Sequence, residues 1–120
     1  LDDEDPDNYY WPTSPSQSVA TNATINQGDI HYWNVWAGKA DIEDYNLFVG
    51  RFNSEYGMQG ILEMSSIKRF TIPSDWDETS QTMELHERHV VGWPTINYYL
   101  NEYYKPVKDF QTKVYVSQIM

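Results

Sequence analysis

Apolar and polar positions along the chain change period several times, and each change marks an element. Tyr9-Tyr10-Trp11 opens aromatic and runs into Pro12 and Pro15, which reads as a short strand followed by extended or turning backbone. Residues 13–27 are mostly Ser, Thr, Asn, Gln and Ala, a loop by composition. Gly28-Asp29 punctuates that loop. Ile30-His31-Tyr32-Trp33-Asn34-Val35-Trp36 then combines β-branched and aromatic residues and is apolar at both parities, which predicts a strand covered on both faces. Ala37-Gly38-Lys39 breaks it. Between Asp41 and Val49 the residues Ile42, Tyr45, Phe48 and Val49 recur at helical spacing, and Gly50 stops the run. Arg51 to Tyr56 reads as the next strand. Strand, loop, strand, short helix, strand is the alternation of a parallel α/β architecture, with the strands around Ile30–Trp36 and Arg51–Tyr56 parallel and adjacent.

The second half is more helical. Trp76 to His89 puts Met83, His86 and Val90 on one face, and Pro94 suits the first position of a helix. After it, Ile96, Tyr99, Leu100, Tyr103 and Tyr104 follow the i, i+3, i+4, i+7, i+8 pattern of an amphipathic helix, which Lys105-Pro106 ends. The last stretch supports two readings. Lys113-Val114-Tyr115-Val116-Ser117 carries strand-type residues, whereas Asp109 is a good N-cap for a helix.

Composition adds constraints. The 120 residues suit one small domain, and 40% of them are hydrophobic, enough to support a core. The 5 Trp, 10 Tyr and 4 Phe favour surfaces that are half apolar and half polar, such as sugar clefts or interfaces, as well as ordinary core filling. A net charge of −10 with only 8 Lys and Arg argues against a nucleic-acid partner. No run approaches the roughly 20 apolar residues of a membrane span. Residues 1–8 hold five carboxylates and no base, which predicts an acidic loop or frayed end. That start has neither Met nor the apolar core of a signal peptide, and suggests a segment of a longer protein. With no cysteine, disulfides and thiolate metal sites are excluded. The Asn22-Ala23-Thr24 sequon is a triplet common by chance.

Candidate chemistry narrows by elimination. His86-Glu87-Arg88-His89 has its histidines at i and i+3, where the zinc-protease motif needs i and i+4, so a solvated helical face is expected there. The six glycines are scattered and form no phosphate loop. There is no Gly-x-Ser-x-Gly elbow. Carboxylates with aromatics remain, the chemistry of sugar hydrolysis, in which two carboxyl groups flank the scissile bond. Glu55, at the end of an expected strand, is where an α/β protein hands an acid to a site, with Trp33 and Trp36 nearby to bind a pyranose face.

Gly28-Asp29-Ile30-His31-Tyr32-Trp33-Asn34-Val35-Trp36, then Asp44-Tyr45, then Arg51-Phe52-Asn53-Ser54-Glu55-Tyr56-Gly57-Met58-Gln59 resemble the β-mannosidases of glycoside hydrolase family 2. The resemblance continues through Lys68-Arg69-Phe70-Thr71, Asp75-Trp76 and Pro106-Val107-Lys108-Asp109-Phe110 to Val114-Tyr115-Val116-Ser117-Gln118, with Tyr10-Trp11-Pro12-Thr13-Ser14-Pro15 as an earlier strand and loop. It covers nearly the whole chain, and the order of the blocks is more specific than any one of them. The chain departs from the family's pattern at Ala37 and over Gly60-Ile61-Leu62.

The resemblance implies a partial (β/α)₈ TIM barrel, about strands five to seven with their following helices, with residues 1–120 a single piece of the catalytic domain. It implies Glu55 as the nucleophile of a retaining exo-β-mannosidase, with His31, Trp33, Trp36 and Tyr56 contacting substrate, and it makes the final stretch a helix. No cofactor or metal is expected. The family's acid/base, in an Asn-Glu pair on strand four, would lie outside this chain; Asn101-Glu102 sits within the clearest helix and is read as coincidence. The expected partners are a β-mannoside or related oligosaccharide and the remaining segments of a longer protein, with no nucleic acid and no membrane. The chain alone is expected to be inactive and to self-associate through its open strand edges unless those segments cover them. The competing reading is a non-catalytic carbohydrate-binding or interaction module that kept the barrel sequence.

Overall fold

A computed structural model describes residues 3–16 and 28–120, which leaves the sequon at Asn22 and most of the expected loop over 13–27 outside the described residues. The chain divides into two compact units, Leu1–Gly57 and Met58–Met120.

The first unit is built on a two-stranded parallel sheet. Strand β1 is Ile30–Tyr32 and strand β2 is Asn53–Tyr56, joined through the single-turn helix α1, Asp44–Leu47. This is the adjacent parallel pair with a crossover that the pattern predicts. The expected seven-residue strand nevertheless stops at Tyr32. Ala37 N–H bonds back to the Trp33 carbonyl at 2.7 Å and Ala40 N–H to that of Asn34 at 2.9 Å, so the chain curls into a turn. Val35 and Trp36 are both buried, and consecutive buried residues come from this curl rather than from a strand covered on two faces.

The spacing of Tyr45 and Phe48 does its expected work from a shorter helix. Phe48 leaves helical geometry as the C-cap of α1, yet both rings pack on Tyr32 of β1, with centroids 6.0 and 5.7 Å away. The short strand expected at Tyr9-Tyr10-Trp11 does not form. The segment runs without a ladder partner among the described residues, all three rings are exposed, and a strand with nothing to pair against gains no hydrogen bonds. Residues 3–8 are turns.

The second unit is helical. Helices α2 (Met64–Ile67), α3 (Gln81–His86), α4 (Gly92–Tyr103) and α5 (Phe110–Ile119) are accompanied by a 3-10 turn at Pro73–Asp75. The core gathers Ile67, Met83, Ile96, Tyr99, Leu100 and Val114, all buried. Burying a side chain such as Ile96 is worth about 1.5–3 kcal/mol. Helix α4 starts two residues before Pro94, which is tolerated because the first turn of a helix has amide hydrogens without intrahelical partners. Helix α3 is shorter than the pattern suggests. Ser80 caps it, accepting from Met83 N–H at 3.2 Å, and Val90 lies beyond its end, fully exposed. The ambiguous last stretch is helix: the Asp109 carboxylate accepts from Thr112 N–H at 2.9 Å, and Phe110 and Val114, one turn apart, both face inward. Tertiary burial of one face outweighs the strand preference of Val114, Tyr115 and Val116.

Candidate active site

The residues of interest run along the strand pair, from Asp29 just ahead of β1 through His31 in its middle to Glu55 near the end of β2. β1 and β2 pair Ile30 with Asn53, but His31 with Glu55, so Ser54 is an extra residue opposite the β1 strand. In a regular strand Ser54 and Glu55 would face opposite sides. The bulge turns both toward one cluster.

At the base of that cluster is Asp29, which is buried. Its Oδ2 accepts from the hydroxyls of Ser14 and Ser54, each at 2.6 Å, and its Oδ1 accepts from Ser16 N–H at 2.7 Å. Ser16 Oγ in turn accepts from Asp29 N–H at 3.0 Å. The Ser14 hydroxyl, then that of Ser54, hold the Asp29 carboxyl far below the usual carboxylate range against the opposing effect of burial. Gly28 makes this packing feasible. Its φ is +59°, and a Cβ there would lie 1.9 Å from Ser16 Oγ.

From Ser14 the contacts run outward. Ser14 Oγ is 3.1 Å from His31 Nε2, and His31 Nδ1 is 3.2 Å from Glu55 Oε2. The Glu55 side chain is 52% exposed against 19% for His31, so the carboxylate faces open space while the ring behind it is held. Gly57 ends the strand with φ +130°, a conformation a side chain would resist, directly after Tyr56. Tyr56 is exposed and meets Tyr45 edge-on at 6.0 Å. Burial pushes the phenol of Tyr45 up, and burial followed by the charge of Asp44 pushes up that of Tyr32.

Of the residues singled out in the sequence, the structure brings His31 into contact with Glu55, while Tyr56 pairs with Tyr32 and packs its ring on Tyr45. Trp33 follows β1 and is 40% exposed, whereas Trp36 is 3% exposed, a member of the core. Ser14, Asp29 and Ser54 are the polar residues that sequence reasoning passed over. The signal was present in Gly28-Asp29, an acid placed directly before an apolar strand, and in a hydroxyl directly before Glu55. No group of three or more His, Asp or Glu able to hold a metal occurs among the described residues. The His86-Glu87-Arg88-His89 run is not a helical face at all: α3 ends at His86, and Glu87 accepts from Gln59 Nε2 at 2.7 Å and from His89 N–H at 2.8 Å.

No protein-family profile matches the chain. Among curated proteins it is similar to β-mannosidase B of Aspergillus clavatus, 33% identical over 125 residues that include the whole chain. It is also similar to β-mannosidase B of Emericella nidulans, 34% identical over 96% of the chain. Among solved structures it is similar to the β-D-mannosidase of Dictyoglomus thermophilum, with a TM-score of 0.71 and 35% identity over 77% of the chain. The chain matches a segment of the β-mannosidases. It spans 14% of the length of the two fungal relatives and 12% of the bacterial one, so a β-mannosidase is several times longer than the stretch described here.

Proposed function

We propose that these residues form the nucleophile-bearing part of a retaining exo-β-mannosidase that removes terminal β-D-mannose. One observation carries the reading: Glu55 presents a half-exposed carboxylate at the C-terminal end of a parallel strand, with one oxygen on His31. In this reading β1 and β2 are strands six and seven of a (β/α)₈ barrel, and the whole chain is one piece of that domain. Glu55 attacks the anomeric carbon as the aglycone leaves, protonated by a second carboxyl group outside this chain, and water then hydrolyses the glycosyl ester. Trp33 is exposed directly after β1 and is assigned to the sugar face. His31 holds the carboxylate, and Tyr56 and Trp36 are further residues assigned to the sugar. The substrate is a β-mannoside or related oligosaccharide, and the partners are the other segments of the longer protein.

Glu55→Gln in the full-length protein tests this. The amide keeps the shape but cannot attack, so hydrolysis of an aryl β-mannoside should nearly vanish while sugar binding remains. Activity within tenfold of wild type would remove Glu55 from the nucleophile's role. With Glu55→Gly, azide should enter the vacated space and give the α-mannosyl azide. The isolated 120 residues should be inactive, because a retaining site needs two carboxyl groups about 5–5.5 Å apart.

A further inference from the structure

The hydrogen bonds around Asp29 have a direction, and that direction reaches Glu55. An ionised carboxylate only accepts, so the Ser14 and Ser54 hydroxyls, both 2.6 Å from Asp29 Oδ2, point their protons at it. Ser14 Oγ then has no hydrogen left for His31 and receives one from Nε2, 3.1 Å away. A neutral imidazole has a single N–H. With that hydrogen on Nε2, the ring would turn a bare lone pair from Nδ1 toward Glu55 Oε2, 3.2 Å away. The contact is attractive only when a second proton sits between Nδ1 and Oε2. A nucleophile must be ionised, which assigns that proton to the ring.

We propose that Asp29 is a positioning residue for the reaction: through Ser14 it fixes His31 as a donor at Nε2, so that the ring supports an ionised Glu55 only as imidazolium. This rests on the nucleophile reading of Glu55 given above. The titratable groups facing the ring are Glu55 from β2 and, through Ser14, Asp29 ahead of β1. A ring without that second proton sets a lone pair against the carboxylate, and Glu55 loses its support.

Asp29→Asn reverses the direction. Ser16 N–H keeps the amide oxygen on its own side, so the amide nitrogen takes the place of Oδ2 and donates to both hydroxyls. The Ser14 proton is released to Nε2, and a neutral ring can then donate from Nδ1 to Glu55. Ser14→Ala reaches the same end differently, by removing the acceptor while Asp29 keeps Ser54 and Ser16.

The experiment uses the full-length protein and an aryl β-mannoside whose leaving group needs no protonation, which removes the alkaline limb of the acid/base carboxyl. In wild type kcat/KM should fall at alkaline pH. In Asp29→Asn and Ser14→Ala, where a neutral ring donates to Glu55 from Nδ1, that fall should be lost. Nitrogen NMR of histidine-labelled protein, with His31 assigned through His31→Gln, should find Nε2 protonated in wild type. Only Nδ1 should be protonated in the variants. An equal loss of kcat/KM at every pH, with unchanged ring nitrogens, would overturn the proposal and leave Asp29 a structural residue. Failure of azide rescue at Glu55→Gly would sink the nucleophile reading alone, since the ring nitrogens report the direction of the chain without any turnover.

Discussion

Asp29 illustrates how much a single side chain can organise. It closes Ser14 and Ser16 onto the strand pair, and Gly28 is the residue whose missing Cβ lets Ser16 approach. Its depressed ionisation makes it a contributor to acid stability with a definite sign. The folded protein binds the Asp29 proton less readily than the unfolded chain, so the stabilisation is complete above the ordinary carboxylate value near 3.9 and disappears as pH falls below it. Asp77, bonded to Thr79, and Asp109, bonded to Thr112, are lowered as well and act in the same direction. Denaturant unfolding followed from neutral to strongly acid pH should therefore show stability declining below about pH 4, and more shallowly in Asp29→Asn. A variant with the same acid slope as wild type would remove Asp29 from that role.

At the level of elements, capping and burial decide where helices begin and end. Ser80 holds the start of α3 through Met83 N–H and bonds the Asp75 carbonyl through its own hydroxyl at 2.7 Å. Ser80→Ala should cost about 1 kcal/mol, and Ser80→Asp should recover much of it, in equilibrium denaturation. The periodic residues of α4 were legible in the sequence because Ile96, Tyr99 and Leu100 are the ones buried. The parallel pairing of β1 with β2 was legible too, since a short helical spacing separated two apolar runs. The early end of β1 was not, because a curl that buries Val35 and Trp36 looks in sequence like two more strand residues. Nor was the bulge at Ser54, a matter of ladder register that no periodicity records. The site shared this limit: Glu55 could be singled out by type and His31 through the resemblance, but their meeting depends on that register, and Ser14 joins them across a loop.

On the scale of the whole chain, a parallel sheet of two strands is an unusual object, since such sheets are normally wider and covered on both faces. β1 and β2 each have one edge without a ladder partner among the described residues, and β2 is largely exposed. The isolated 120 residues are therefore expected to associate with one another, and sedimentation should detect species larger than the monomer. A clean monomer with cooperative unfolding would mean that the edges are protected within the chain itself. The order of the cluster along the sequence also bears on biosynthesis. Ser14, Asp29 and His31 all precede Glu55, and the first unit closes two residues after it, at Gly57. A growing polypeptide thus has His31 and the residues behind it already made when Glu55 leaves the ribosome, and the carboxylate can be paired with His31 before any later helix is translated.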